Sequence, residues 1–291
     1  MADLAPPPAS GVSHADRAVA AALWAALRTF GRIPGARVVD EGDATLVFSG
    51  TPYATFNNVT ASSIAAIDAD GRIPAVLRAF APRSLPVTWW AGPTTSPPDL
   101  VVRLQRLGLA RQEPEFAMAL DLATGWPAAP HPAEASLDMV EGPDQLNEWL
   151  GVMHAAYAWS DPQKTSIMLS IYLAGLALPR ETRDIHHFLV RVSGRPAACS
   201  SLFVGGGKAF VTNIGTLPEA RGRRLGTFAT VATLELARSM GRALATLTAS
   251  IDGRSIYQRL GFVEAGVLER YVATADTVAG LAGPRLPGHR R

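Results

Sequence analysis

The sequence has 291 residues, of which 48% are hydrophobic and 18% charged, with a formal net charge of +2 at pH 7. This share of apolar side chains excludes bulk disorder, and the length favours two domains of ordinary size. A single cysteine, Cys199, excludes an internal disulfide framework and a cysteine-based zinc site. The nearly balanced charge argues against a nucleic-acid-binding surface.

Two further features bear on localisation. The longest apolar run, residues 167–178, is interrupted by polar residues and falls short of the ~20 residues that a membrane span needs. The N-terminal segment lacks the basic region and apolar stretch that mark secretion. We therefore expect a cytoplasmic protein without a membrane partner, preceded by a disordered lead-in at residues 1–13.

The first half alternates between helix and strand, which is typical of an α/β domain. A helix is predicted at 15–29, a hairpin at 36–39 and 44–49, a helix at 66–80, a strand at 86–90, a helix at 99–107 and a strand at 116–121. A Pro- and Ala-rich stretch, 124–135, is the predicted linker. The predicted domains are therefore 14–123 and 136–276, followed by a tail at 277–291.

The second half continues the alternation. A strand is predicted at 137–140, helices at 143–156 and 162–174, strands at 187–192, 197–204 and 209–215, a helix at 224–240, a strand at 243–249, a helix at 253–260, and closing strands from Phe262 and from Leu268. The glycine triplet 205–207 reads as the turn of a hairpin.

A short internal repeat links the two halves. The hexapeptide LQRLGL at 104–109 matches YQRLGF at 257–262, 153 residues later. In each copy the glycine follows the last apolar residue of a predicted helix, where a left-handed cap is favoured. With the same order of elements around both copies, the match indicates a duplicated fold.

One loop has the composition of an anion site. The segment LPEARGRRLGT at 217–227 leads from a predicted strand into an amphipathic helix. The first N–H groups of a helix have no intrahelical acceptor and attract phosphate. Small residues let the backbone approach a phosphate closely, and arginines add positive charge. The residues of this loop that meet these needs are Gly222, Gly226, Thr227, Arg221, Arg223 and Arg224.

The loop LPEARGRRLGT followed by IYQRLGF resembles the two signature motifs of the GNAT superfamily of N-acetyltransferases. The resemblance covers residues 137–273 and implies a tandem fold, with a mixed central sheet flanked by helices. It implies acetyl-CoA as co-substrate and no metal. Because Leu104 stands where the second copy has Tyr257, and the first half lacks an Arg-Gly-rich loop, the C-terminal copy is the predicted catalytic one.

The resemblance also implies roles for individual residues. In the family pattern Q/R-x-x-G-x-G/A, Arg221 takes the first position, Arg224 replaces the first glycine and Gly226 takes the last position. The strand before the loop splays and offers its backbone to the pantetheine arm, and Tyr257 protonates the leaving thiolate. The implied coenzyme contacts are Ile214, Gly215, Thr216, Arg221, Gly222, Arg223, Arg224, Leu225, Gly226, Thr227 and Ser250.

The predicted activity is acetyl transfer to a primary amine of a small molecule by direct attack. Two alternatives stay open: an inactive CoA-binding or regulatory module, suggested by Arg224 at a glycine position, and acyl transfer from aminoacyl-tRNA. The aromatic residues Tyr157 and Trp159 suggest an apolar or planar acceptor, or simply core packing. Oligomeric state is open, a homodimer included. The candidates for a general base, none singled out by spacing, are Glu219, Asp161, His154 and His187.

Overall fold

The computed structural model describes residues 12–128, 131–205 and 207–281. These residues form eight α-helices and twelve β-strands. The helices are α1 (His14–Arg28), α2 (Ala69–Arg78), α3 (Leu100–Arg106), α4 (Pro143–Tyr157), α5 (Pro162–Leu176), α6 (Leu225–Ser239), α7 (Arg254–Arg259) and α8 (Ala275–Leu281). The strands are β1 (Arg37–Asp40), β2 (Thr45–Phe48), β3 (Asn58–Thr60), β4 (Val87–Ala91), β5 (Ala110–Arg111), β6 (Glu115–Asp121), β7 (Ala135–Met139), β8 (Ile185–Val192), β9 (Arg195–Gly205), β10 (Lys208–Thr216), β11 (Leu244–Ala249) and β12 (Val263–Ala273).

The strands form one mixed sheet, in the order β1-β2-β3-β4-β12-β6-β11-β10-β9-β8-β7, with β5 beside β12. Only the pairs β3–β4 and β10–β11 are parallel. Residues of α1, α4 and α5 share one apolar core with the sheet, whereas α6 and α7 contribute to another. The mixed α/β sheet flanked by helices is confirmed. Within the described residues no helix is long and apolar enough to cross a membrane.

The two halves exchange their last strands. In the second half, β11 is followed by α7 and β12, yet the strand that pairs with all of β11 is β6 from the first half. In return, β12 pairs through its residues 269–273 with β4 of the first half. The first part of β12, residues 263–268, pairs with β6. Sheet hydrogen bonding therefore crosses the predicted linker, and the division into domains stays a prediction.

The repeated hexapeptide adopts the same turn in both halves. Gly108 and Gly261 take left-handed φ values of +84° and +92° at the ends of α3 and α7. In each copy, the backbone N–H of the residue after the glycine donates to the carbonyl oxygen of the first residue of the hexapeptide. The distance is 3.1 Å in the first copy and 3.0 Å in the second. The predicted glycine cap is confirmed in both copies.

The first helix covers the sheet of the second half. It begins at a capping box, in which Ser13 Oγ accepts from Asp16 N–H at 3.0 Å and the Asp16 carboxylate accepts from Ser13 N–H at 2.8 Å. Val19, Leu23 and Leu27 lie on its buried face. The helix contacts β6 and β9 to β12. Ser13 is thus part of a helix start, whereas the rest of the predicted lead-in, except Val12, lies outside the described residues.

Several predicted elements are corrected. The two closing strands are one strand, β12, because the chain passes a bulge between Glu264 and Gly266 without a turn. Helix α8 lies across the boundary of the predicted tail, and the short strands β3 and β5 were not predicted. Gly206 of the glycine triplet lies outside the described residues, although Gly205 and Lys208 pair across β9 and β10 as a hairpin requires.

Candidate active site

The sheet opens between β10 and β11. Their parallel pairing joins residues 209–211 to residues 245–247 and then stops. On its other edge β10 has a bulge after Thr212, where Asn213 takes a left-handed φ of +53°. A bulge bends a strand and increases its twist. The backbone of residues 214–216 therefore extends past the end of the ladder with β11, at the place where the resemblance implied a splayed strand.

A buried polar network supports the bulge. Asn213 Nδ2 donates to the Tyr172 hydroxyl at 3.1 Å and to Ser201 Oγ at 3.3 Å. Ser201 Oγ lies 2.7 Å from Nδ1 of His187, and both of these residues are fully buried. Burial lowers the pKa of His187 to about 3, so the imidazole is neutral at pH 7. The network holds Asn213 in a conformation that a side chain other than glycine seldom adopts.

The start of α6 has a run of free donors. The backbone N–H groups of residues 222–227 donate no hydrogen bond within the described parts of the chain, and no side chain caps the helix. By contrast, the side chains of Ser13 and Asp161 cap α1 and α5. A Cβ added at Gly226 would lie 3.2 Å from Thr216 Oγ1, so the helix start touches the end of β10. Free N–H groups and the helix dipole favour an anion here.

The three loop arginines differ in their surroundings. Arg221 Nη2 donates to the carbonyl oxygen of Ala156, at the end of α4, over 3.2 Å. Arg223 and Arg224 are exposed and pair with no carboxylate among the described residues. Arg224 takes a left-handed φ of +61°, which costs a non-glycine residue roughly 1–2 kcal/mol. The left-handed backbone at Arg224 would favour glycine, which the family pattern has at this position. The next residue, Leu225, is buried.

Tyr257 lies on α7, beyond the end of β11. A Cβ added at Gly253 would lie 3.3 Å from both Tyr257 Cε2 and Ser250 Oγ, so these three residues are close neighbours. The Tyr257 hydroxyl makes no hydrogen bond within the described residues, and burial raises its pKa to about 12. Ser250 Oγ accepts from Gly253 N–H at 3.2 Å, so it shapes the turn before α7.

A second tyrosine in the opening was not predicted to act there. The hydroxyl of Tyr157, the last residue of α4, donates to the carbonyl oxygen of Ile214 at 3.0 Å. Burial of that hydroxyl, and then the neighbouring Tyr257, raise the pKa of Tyr157. Gly215 permits this approach, since a Cβ there would lie 2.9 Å from Ala156 Cβ. The only signal in the sequence was the aromatic pair Tyr157 and Trp159, whose role needs the fold to be known.

The candidate bases are dispersed. His187 is sealed inside the network behind the bulge, and so cannot reach a substrate. Asp161 accepts from the Tyr53 hydroxyl at 2.6 Å and from two backbone N–H groups at the start of α5. His154 lies 2.6 Å from Thr165 Oγ1, and burial lowers its pKa. Glu219 is exposed in the loop.

Aromatic and polar side chains of the first half, and the single cysteine, pack in the interior. Trp90 donates from Nε1 to Asn58 Oδ1 at 2.9 Å, and both are buried, as is Phe56. Cys199 is buried too, and burial raises the pKa of its thiol to about 12. Among the described residues, no group of three metal-ligating side chains is close enough together to hold a metal ion.

Comparison with known proteins gives a family match over part of the chain. Residues 147–262 match the model of the acetyltransferase (GNAT) family. The matched segment includes most of α4, the end of β10, the start of α6 and Tyr257. None of the curated proteins is similar enough to match.

Solved structures share the fold over most of the chain. A GCN5-related N-acetyltransferase from Kribbella flavida superimposes with a TM-score of 0.68 at 20% identity, covering 87% of this chain and 95% of that one. A GCN5-related N-acetyltransferase from Sphaerobacter thermophilus superimposes with a TM-score of 0.60 at 15% identity, covering 89% of this chain and 92% of that one. A tandem GNAT protein from the clavulanic acid biosynthesis pathway gives 0.57 at 18%, covering 91% and 97%. At identities this low, the three structures show that the fold is shared, including the fold of the first half, and nothing more.

Proposed function

We propose that this chain, whose residues 147–262 match the model of the GNAT family of acetyltransferases, transfers an acyl group from acyl-CoA, acetyl in the simplest case, to a primary amine of a small molecule. We further propose that the second half alone is catalytic. In the first half, Leu104 occupies the place of Tyr257; it is fully buried, and its aliphatic side chain has no acidic proton to donate.

One observation carries the proposal. The six consecutive N–H groups of residues 222–227 donate no hydrogen bond within the described residues, and they lie beside the end of β10, where its ladder with β11 has stopped. A diphosphate would accept from these donors, and Arg221 and Arg223 would add charge. The backbone of residues 214–216 would pair with the amides of the pantetheine arm and bring the thioester to the opening. The residues present fit the coenzyme, since no side chain in the described part of the chain caps these donors.

The chemistry follows from the two sides of the opening. The neutral amine attacks the thioester carbonyl, a C–N bond forms and the C–S bond breaks. The ammonium proton leaves to water or a base, and the thiolate takes the proton of the Tyr257 hydroxyl, which solvent restores. An N–H at the end of β10 would stabilise the oxyanion, and such a donor is worth ~3 kcal/mol. Ser250 would contact the coenzyme from the β11 side.

The surroundings of Tyr257 suit an acid. Its pKa of about 12 keeps the phenol protonated at neutral pH. A thiol has a pKa of ~8.5 in water, but a thiolate formed in the same desolvated opening also gains proton affinity. Since the difference between the two pKa values decides the transfer, burial of both groups preserves the role of the tyrosine.

Binding and turnover should be measured separately. We expect acetyl-CoA to bind in a calorimetric titration and free thiol to be released with a panel of primary amines. Tyr257→Phe should keep the affinity for acetyl-CoA and lower kcat by about 100-fold, within the range for a lost general acid. Tyr271→Phe is the matched control, because Tyr271 packs in the core of the first half and its hydroxyl makes one long contact, of 3.4 Å, with Glu269.

The outcomes separate the competing functions. Binding without thiol release from any amine would favour a CoA-binding or regulatory module. No binding of acetyl-CoA, with activity that falls steeply with salt on an aminoacyl-tRNA, would favour that donor. Equal rates in Tyr257→Phe and wild type would remove the proton-donor role but leave acyl transfer intact.

A further inference from the structure

A group of charged side chains beside Tyr157 is not used by the proposed chemistry. It consists of Glu115 on β6, Asp161 and Lys164 at the start of α5, and Arg270 on β12, and is called here the junction cluster. Glu115 and Arg270 come from the two exchanged strands and lie 3.3 Å apart. The cluster therefore lies where the two halves of the molecule meet.

Direct contacts connect this cluster to the opening. The Tyr157 hydroxyl bonds to the Ile214 carbonyl, and the Tyr157 ring lies against Trp159 with centroids 5.4 Å apart. On the Trp159 ring, in turn, lies the ammonium group of Lys164, 4.5 Å from the centroid. A small acceptor with its amine at the opening would thus extend along an aromatic wall towards Lys164.

The charge of Lys164 has no partner. Its ammonium group donates no hydrogen bond and has no carboxylate within 4 Å among the described residues. The neighbouring carboxylate, Asp161, is occupied by Tyr53 and by the helix start. Partial burial lowers the pKa of Lys164, the negative charge of Asp161 raises it, and the positive charge of Arg270 lowers it. A half-buried cation with a second cation nearby and no carboxylate within 4 Å is only partly compensated.

Arg270 is only partly neutralised. Among the described residues its one carboxylate partner is Glu115, whose Oε1 lies 3.3 Å from the buried Nε of Arg270 without hydrogen-bond geometry. Glu115 also contributes to the raised pKa of Tyr157, so its negative charge acts near the opening. Glu115, although paired with Arg270, thus acts on Tyr157, and Lys164 lies against Trp159; an amine near Tyr157 and an acid group near Lys164 would suit this arrangement.

We propose that Lys164, assisted by Arg270, binds a carboxylate of the acceptor, so that the acceptor is an amine that also carries a carboxylate, as an amino acid does. The inference rests on the proposed acyl transfer. Trp159 would line the path between the two ends of the acceptor, and Glu115 would orient its amine. Lysine suits this role because its charge is compact and its three donors can follow a mobile carboxylate.

Matched acceptor pairs test the proposal. Each pair differs by one carboxylate: glycine with methylamine, β-alanine with ethylamine, and L-lysine with cadaverine. We expect at least a tenfold higher kcat/KM for the carboxylate member of the best pair. Lys164→Met should remove that preference, mainly by raising KM, and leave the other member within twofold. Lys164→Glu should reverse the preference. Lys208→Met, at the only other lysine in the sequence, is the control.

Acetyl-CoA affinity, measured on every variant, keeps the two proposals distinct. Unchanged affinity with equal use of both members, or an equal loss for both in Lys164→Met, overturns the carboxylate subsite but not acyl transfer. If no pair is turned over, calorimetry with CoA and the N-acetyl products decides. Tenfold weaker product binding in Lys164→Met supports the subsite, and absent or unchanged binding refutes it. A protein that does not bind acetyl-CoA at all removes both proposals.

Discussion

Acid should destabilise the protein through one imidazole in particular, that of His187. It is fully buried against Trp149 and Tyr172, with ring centroids 4.6 and 4.5 Å away, and its Nε2 has no partner among the described residues. Burial lowers its pKa from 6.5 to about 3. The unfolded chain therefore binds a proton between these values that the folded protein excludes, and stability is lost as the pH falls.

The magnitude follows from the linkage between pKa and stability. One pH unit corresponds to 1.36 kcal/mol, and pH 5.0 lies 1.5 units below the ordinary value, so His187 alone should reduce the free energy of unfolding by about 2 kcal/mol between pH 7.5 and 5.0. This loss of about 2 kcal/mol is expected as long as the pKa of His187 in the folded protein lies below about 4. His186 and His154, whose pKa values burial also lowers, act in the same direction.

Urea unfolding at both pH values, followed by tryptophan fluorescence, provides the assay. His187→Phe should be less stable than wild type at pH 7.5 but lose about 2 kcal/mol less on going to pH 5.0. Contributions of the other histidines cancel in this difference. His131→Asn, at an exposed position, should keep the wild-type slope. If the loss of unfolding free energy between pH 7.5 and 5.0 in His187→Phe is within 0.5 kcal/mol of the wild-type loss, the reasoning is refuted.

Further predictions concern the opening. Gly215→Ala places a Cβ 2.9 Å from Ala156 Cβ and should cost about 1–3 kcal/mol of stability as well as activity, whereas Gly151→Ala in α4, which meets nothing within 4 Å, should stabilise by about 0.5–1 kcal/mol; thermal unfolding and thiol release compare the two. Asn213→Ala should lose about 2 kcal/mol or more and raise KM for acetyl-CoA, because it keeps a strained φ without the two hydrogen bonds, and Asn213→Gly should retain the stability better. Arg224→Gly should raise Tm by a few degrees through relief of its left-handed φ, with a small loss of acetyl-CoA affinity at low salt; an unchanged or lower Tm would contradict this. The pH profile of kcat should show no fall from Tyr257 up to about pH 10.5, since its raised pKa keeps the acid protonated, and a descending limb at pH 9–10 that vanishes in Tyr257→Phe would contradict it.

Local features of this fold could be predicted from the sequence. The repeated hexapeptide located α3 and α7, together with their left-handed glycines, because a helix end is fixed by a few adjacent residues. The loop at 217–227 was predicted to lead into an anion-binding helix start, and the N–H groups of residues 222–227 donate no hydrogen bond within the described residues. Both arguments concern hydrogen bonds within one turn of the chain.

Long-range features could not be predicted in this way. The pattern of β6 is that of a buried strand whether it pairs with β4 or with β11, so the exchange with β12 leaves no local signal. Tyr157 enters the opening only because Gly215 lets the end of α4 approach β10. Likewise, Glu115 and Arg270 meet through strand register, which depends on the whole sheet.

The exchange of β6 and β12 has a practical corollary for how the protein can be divided. A C-terminal fragment starting at residue 136 would leave the full edge of β11 without β6, and the complementary N-terminal fragment would leave β4 without β12. Exposed edges of this kind recruit strands from other molecules and promote aggregation. Neither part should persist as a stable monomer, whereas two fragments produced together could restore each other. Because β6 and β12 join both parts in one sheet, the distance between the two halves at the junction cluster is fixed by strand pairing and not by a hinge.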